Sequence, residues 1–576
     1  YIVKTGDGAW LCCVTTGLGT EGQSGQHVVT VRSMDGGKTW EAPVDVEPAQ
    51  GPEASYAVML KVPEGYPLSG RVYIFYNHNT DNVREVMADV SEWTPDGLCR
   101  RVDSLGHFVF KYSDDGGQTW STERFDIPQR SMEIDRQNPY GGSLKFFWNV
   151  GKPFSYDGAA YVSLHKVGGF GHGFFTRSEG VLLKSSNLFT EHDAAKVTWE
   201  TLPEGDIGLR TPPGGGPIAE EQSYVVLSDG TFYSVYRTID GHPTCAYSRD
   251  AGCTWTAPQY QCYADGRLMK HPRAANFAWK CTNGKYLYWF HNHGGQWYED
   301  RNPVWLCGGL EADSPEGKVI RWSQPEIVLY DDDPFIRMSY PDLVEEKGKY
   351  YLTETQKDIA RVHEIDTDLL HALWHQFENA VVAESELVLS LPEGTDGMPA
   401  AIAMPQLFPF CVRDNTRADH GTGHTRSGFS IALWLRFENL DAGQILLDNR
   451  METGQGFCLQ TTSHAKIELV LNDGRTENRW VCDPESLKPD QLQHVVVTVD
   501  GGPHIITYVI DGVLNDGGAF RQFGWGRFSP NLRGVEGSAK LRIAPQMTGS
   551  VKHLRIYNRA LTTSEAIGNY RAGPEN

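Results

Sequence analysis

The stretch EEQSYVVLSDGTFYSVYRTIDG, residues 220–241, sets a glutamate and an arginine on either side of a Ser-Asp-Gly turn. Glu221 lies seven positions before Ser228, and Arg237 seven positions after Gly230. Further along, DRNPVWLCGG carries Arg301 and MSYPDLVEEKGKYYL carries Tyr340. A guanidinium is a rigid fork of donors that matches a carboxylate and stays charged at any relevant pH, so two arginines suit the recognition of an anionic group. A phenol with a pKa of about 10 is a poor nucleophile unless a carboxylate in contact takes its proton. Tyr340 and Glu221 are the residue types such a pair needs. The count matters, because a shift of one residue in a strand turns a side chain to the other face, and Glu220 stands beside Glu221. Arg237 and Arg301 also fit surface ion pairs, and Tyr340 a packed aromatic.

A second set of polar residues lies at expected loops and strand ends: HNHGGQWYEDR (His291, His293, Trp297), KHPRAANF (His271, Arg273), YNHNTDN (His78, Asp81) and LHKVGGFGH (His165, Lys166, His172). One histidine alone is commonly a satisfied structural group. Several in successive loops point to ligand contact. Trp148, Trp289 and Trp297 suit stacking on a sugar face as well as core packing. No HExxH or EF-hand spacing occurs, so no metal and no cofactor is expected.

The elements that must position these residues are short strands. An octapeptide comes round three times, as SMDGGKTW (residues 33–40), SDDGGQTW (113–120) and SRDAGCTW (248–255), with degenerate forms ending at Trp199 and Trp322. Its Asp can accept backbone N–H bonds, its Gly can take a positive φ, and its Trp can pack beneath the turn. Turn dipeptides at Asp7-Gly8, Asp157-Gly158, Asp229-Gly230 and Asn283-Gly284 break residues 1–366 into strands. DLLHALWHQFEN, from Asp368, has helical spacing. Beyond residue 385 the alternating runs GFSIALWLRFENL, KIELVLNDG, HVVVTVDG and HIITYVIDGVL read as a β-sandwich. Ser564 and Glu565 signal the start of a last helix.

The octapeptide resembles the Asp-box of sialidases and related β-propeller proteins, and the ending GSVKHLRIYNRALTTSEAIGNY resembles laminin-G or concanavalin A-like modules. The resemblance implies an all-β chain: a six-bladed β-propeller over 1–366, a short helical connector over 367–384 and a concanavalin A-like sandwich over 385–576. It implies no catalytic role for the boxes, which lie between the third and fourth strands of blades. It implies Tyr340 as nucleophile with Glu221 as its base, and Arg237 and Arg301 as the holders of an anionic group. Two parts of the family pattern are not matched. The first arginine of that pattern would fall upstream of residue 1, and counting back from Arg32 to the acid position reaches Gln23, with Glu21 or His27 as substitutes. A secreted, periplasmic or cell-surface protein is expected.

The 576 residues carry a net charge of −21, which argues against nucleic-acid and anionic-membrane partners while leaving room for a locally basic pocket. No run of about 18 apolar residues is present. The chain opens with YIVKTGDGAW, without an initiator Met, which fits a removed signal peptide or a trimmed chain equally. Eleven cysteines without CxxC spacing read as buried free thiols. Three functions follow as expectations. The first is an exo-acting glycoside hydrolase on an acidic or decorated glycan or polysaccharide. The second is a polysaccharide lyase or unusual glycosidase with a histidine base. The third is a glycan-binding protein without catalysis. The sandwich either supports polymer binding or packs on the propeller.

Overall fold

The computed structural model describes residues 1–576 apart from 19, 93, 102, 172, 173, 356, 357, 408–427, 533 and 576, so His172 lies outside the described residues. Six antiparallel sheets follow one another along the chain. The first contains Ile2–Lys4, Trp10–Gly17, Gln26–Ser33 and Val44–Asp45, and the second Ala54–Lys61, Val72–His78, His107–Ser113 and Phe125–Asp126. The third is built on the long pair Ala159–Phe170 and Phe175–Ser185. The fourth contains Glu220–Val226, Phe232–Arg237, Thr244–Ser248 and Gln259–Tyr260; the fifth Phe277–Lys280, Tyr286–Phe290, Val304–Ser314 and Gly317–Trp322. The sixth has Ser339–Glu346, Lys349–Thr355 and Ala360–Ile365.

Alternating apolar residues on each sheet bury against the next, which closes the six sheets into a ring. Leu11 and Val28 pack with Met59 and Ile74, Phe75 with Val162, Tyr161 with Phe232, Tyr233 with Tyr288, and Trp289 with Leu352. The ring shuts where Ile2 and Trp10 of the first sheet meet Val344 of the sixth. There the Trp10 indole donates to Glu346 at 2.6 Å and stands edge-on to Tyr351. The Asp-Gly and Asn-Gly dipeptides join the first and second strands of several blades, and Gly8, Gly158, Gly230 and Gly284 all take positive φ there. Such turns require residues that tolerate the left-handed region.

All three octapeptides form the same side-chain-stapled turn between a third and a fourth strand. In the last copy Asp250 accepts from the Thr254 amide at 2.8 Å, the Thr254 hydroxyl at 2.6 Å and the Ser248 hydroxyl at 2.8 Å, while Ser248 Oγ accepts from the Gly252 amide at 2.8 Å. The degenerate copy uses Asn187 for the Asp, accepting from the Thr198 amide at 2.9 Å. Trp120 and Trp255 pack against neighbouring blades, whereas Trp40 remains 37% exposed. Replacing Asp250 by Ala removes three bonds from one turn and should cost about 2 kcal/mol, read as a lower melting temperature with turnover unchanged.

A helix, Thr367–His375, leads from the sixth sheet to two further antiparallel sheets packed face to face. Their shared core holds Phe429, Leu433, Phe457, Leu469, Val497 and Ile556. The last helix, Thr563–Ala572, is capped by Thr562 rather than at Ser564. The Thr562 hydroxyl accepts from the Glu565 amide at 3.1 Å while the Glu565 carboxylate accepts from the Thr562 amide at 2.9 Å. Ser564 lies inside the helix, its hydroxyl accepting from Gln376. No helix among the described residues is long and apolar enough to cross a membrane. The ten described cysteines are all unpaired.

Candidate active site

The innermost strands of the second, fourth and sixth sheets share an irregularity. Pairing slips between Ser55 and Val58, between Glu220 and Ser223, and between Ser339 and Asp342. Within each slip one residue takes a left-handed backbone: Tyr56 (φ 57°), Glu221 (φ 59°) and Tyr340 (φ 48°). Such bulges re-aim a side chain that the regular alternation would direct elsewhere. Non-glycine residues in this region cost about 1–3 kcal/mol each, a strain that concentrates at functional sites.

The fourth and sixth bulges bring Glu221 and Tyr340 together from 119 residues apart, the phenol donating to Glu221 Oε1 at 3.0 Å. Arg237 Nη1 holds the other oxygen, Oε2, at 2.9 Å. Glu220 joins the same cluster because the bulge cancels the alternation. It accepts from Arg237 Nε at 2.9 Å and from Arg273 Nη2 at 2.6 Å. Arg301 bonds only neutral groups, the Ser339 hydroxyl and the Tyr298 carbonyl, each at 2.7 Å. It is 8% exposed and forms no ion pair with a described residue.

These charges divide the two glutamates. Burial alone would raise the Glu220 pKa, yet Arg273 and Arg237 hold it at about 2. Burial raises that of Glu221, with Glu220 adding to it and Arg237 opposing. Burial, and then Glu221, push the Tyr340 phenol upward, and burial lowers the Arg301 guanidinium. A carboxylate held below its unfolded value of 4.5 contributes stability that is full above that value and is lost as pH falls towards about 2. Replacing Glu220 by Gln leaves two buried guanidinium groups short of a carboxylate and should cost about 3 kcal/mol at pH 7. Thermal melts of both proteins should show that penalty shrinking as pH falls from 4.5 towards about 2, where the wild-type carboxyl takes up a proton in the unfolded chain before it does in the folded one.

A cleft of about 480 Å³ opens over this cluster, with Arg237, Arg273, Arg301 and Tyr340 in its wall. Glu21 reaches it from the first blade, accepting from Arg101 Nη2 at 2.7 Å and from the Tyr56 hydroxyl at 3.1 Å. His27 does not: its ring faces Asp45 at 3.5 Å, and it is not among the cleft-lining residues. The histidines expected at the ligand are instead packed behind the wall, His165, His271, His291 and His293 being at most 1% exposed. Burial keeps them neutral, lowering His165 and His271 to about 3 and His293 to about 4, with His291 well below its usual value. They serve backbone groups: His165 Nδ1 accepts from the Glu221 amide at 3.3 Å, and His271 bonds the Ala274 carbonyl at 2.7 Å. Trp297 is 60% exposed beside Phe174, and Trp148 lies in the cleft wall with Arg101 over its ring at 4.4 Å.

The sequence reading missed Tyr56, Arg101, Asp103, Tyr298, Arg337 and Asp358. Tyr56 donates to the buried Asp103, which Arg101 also holds at 2.7 Å. Arg101, Tyr298, Arg337 and Asp358 line the cleft, whereas Tyr56 and Asp103 support Arg101 from behind. Only Tyr298 lay in a stretch that composition had marked, HNHGGQWYEDR.

A sequence profile of the concanavalin A-like lectin/glucanases superfamily, laminin-G type, matches residues 414–566. No curated protein sequence matches significantly. Among solved structures the chain is similar to the intramolecular trans-sialidase of Ruminococcus gnavus, at 16% identity over 64% of this chain and 94% of that one, with a TM-score of 0.43. The leech intramolecular trans-sialidase matches at 14% identity over 64% and 68%, with a TM-score of 0.43. Trypanosoma rangeli sialidase matches at 13% identity over 99% and 92%, with a TM-score of 0.39. These three neighbours are sialidases and trans-sialidases, and the chain itself is all-β, with a concanavalin A-like domain at its C-terminal end.

Proposed function

We propose that the protein is an exo-acting glycoside hydrolase that releases an anionic sugar from a glycan. The observation that carries this reading is the 3.0 Å contact between the Tyr340 hydroxyl and Glu221, in a cleft whose buried Arg301 lacks a carboxylate partner among the described residues. Arg301 and Arg237 take the sugar's anionic group. The Tyr340 oxygen bonds the anomeric carbon as the glycosidic C–O bond breaks, and its proton passes to Glu221. The departing oxygen takes a proton from Glu21, the first-blade carboxyl in the cleft. Water then attacks the tyrosyl–sugar bond, gives its proton to Glu21 and frees Tyr340, which recovers its own proton from Glu221. A neutral nucleophile suits a sugar with a carboxylate near the reacting carbon, because it meets no like-charge repulsion.

The histidine-based lyase draws no support from His165, His271, His291 and His293, all packed away from the cleft. The test is a panel of aryl glycosides of sialic acid, related ulosonic acids, uronic acids and neutral deoxysugars, with Tyr340→Phe alongside. Release of an anionic sugar that vanishes in the variant supports the proposal. Release of neutral sugars only, an ultraviolet-absorbing unsaturated product, or glycan binding without any turnover overturns it.

A further inference from the structure

We propose that the same cleft carries a second anion site, centred on Arg337, for a sulfate or carboxylate on the sugar next to the one released. The inference rests on the hydrolase reading for the first anion, held at Arg301, and extends it to the substrate class: a glycan with two anionic groups on adjacent sugars.

The argument is one of charge accounting. Five arginines line the cleft. Arg101 is tied to Asp103 and Glu21, Arg237 to Glu220 and Glu221, and Arg273 to Glu220. Arg301 and Arg337 form no ion pair with any described residue, and Arg337 makes no hydrogen bond to one either. The two unneutralised guanidinium groups share one aromatic ring, with Arg337 Cζ 5.0 Å and Arg301 Cζ 5.9 Å from the centroid of Tyr298. Tyr298 is itself stacked on Phe174 at 5.2 Å, which holds the ring in place beside the two cations.

A carboxylate held between Arg301 and Arg237 has both its oxygens engaged there. A substrate with a single anionic group at Arg301 would leave Arg337 an unpaired cation beside it, in a cleft from which the sugar displaces water. A second oxyanion on the adjoining residue pairs that cation and gains a charge-assisted bond. In a protein of net charge −21, the two unpaired guanidinium groups make this cleft a locally basic spot that draws anionic chains towards it. Asp358 lines the cleft but forms no ion pair with either arginine, so it does not already fill this role.

The test is calorimetric titration of the full chain in a Tyr340→Phe background, which prevents turnover of the probe. The probes are a chondroitin sulfate tetrasaccharide and its chemically desulfated form, which keeps its uronate. Binding of the sulfated form at least about tenfold tighter, with the ratio falling to near one in Arg337→Gln and partly kept in Arg337→Lys, is the expected result. Equal binding of the two probes, or a ratio that survives Arg337→Gln in a variant that melts like its parent, overturns the second site. The titration reads no turnover, so it fails independently of the hydrolase. Turnover in the aryl glycoside panel without a sulfate ratio removes the second site alone, and a ratio without turnover removes the hydrolase alone.

Discussion

Replacing Tyr340 by Phe is expected to lower kcat on the responsive aryl glycoside on the order of 10³-fold or more while changing KM little. The substitution removes one oxygen and keeps the ring, which is partly buried between the fifth and sixth blades and beside Trp148 and Phe175. Glu221 loses a donor at Oε1 but keeps Arg237 on Oε2, so its position survives. The anionic sugar still meets Arg301 and Arg237, which is why binding should persist. Residual activity within tenfold of wild type would remove Tyr340 from the reaction. The pH profile supplies a second reading of the same pair. Glu221 must be ionised to take the phenolic proton, and burial raises its pKa. The acidic limb of kcat/KM should therefore fall at a pH above that of an ordinary glutamate. Glu220→Gln removes the like charge that helps raise Glu221 and should move that limb to lower pH. An unmoved limb would mean that another group controls it.

What could be read from the sequence was local or periodic. The stapled turns depend on side chains bonding amides four residues on, as Asp250 does with Thr254, so three octapeptides sufficed to locate three blades. The offsets that singled out Glu221 and Arg237 lie along strands whose lengths the turns fix, Arg301 and Tyr340 rested on the family resemblance, and the structure brings all four together. Counting along a strand failed at the bulge: alternation directs either Glu220 or Glu221 at Arg237, and the left-handed step at Glu221 delivers both. Burial was not legible either. A histidine that holds a backbone amide, as His165 holds that of Glu221, is indistinguishable in sequence from one that holds a ligand. Arg101 and Arg337 enter the cleft from segments with no repeat to register them, so only the closed ring reveals them. The last helix starts at Thr563, one residue ahead of the Ser564-Glu565 signal, because Thr562 caps it through the reciprocal bond with Glu565.

Removal of residues 385–576 should abolish turnover of a small aryl glycoside, not merely weaken attack on polymer. An appended polymer-binding module would leave the propeller intact, whereas here one face of the sandwich completes a propeller core. Val496, Ile505, Val509 and Trp525 bury against a cluster that includes Trp305 and Trp322 of the fifth blade. Their loss would expose two tryptophans and the apolar faces around them, a patch of the kind that drives aggregation. The same interface clamps the segment that delivers Arg301. On its leading side the Trp525 indole donates to the Asn292 carbonyl at 3.0 Å, the Gly294 amide donates to the Gln522 carbonyl at 3.0 Å, and Phe523 stacks on His293 at 4.7 Å. On its trailing side Arg527 donates to the Asn302 carbonyl. Between these anchors lie Trp297, Tyr298 and Arg301, with Asp300 in a left-handed conformation that the anchors help to hold. Because deletion can fail simply by misfolding, Arg527→Ala is the sharper variant. It leaves both cores intact, frees one end of the segment, and should raise KM for the anionic aryl glycoside about tenfold, equivalent to roughly 1.4 kcal/mol, with kcat changed less. A propeller fragment that folds and turns over the small substrate at the full rate would show instead that the blades hold Arg301 by themselves.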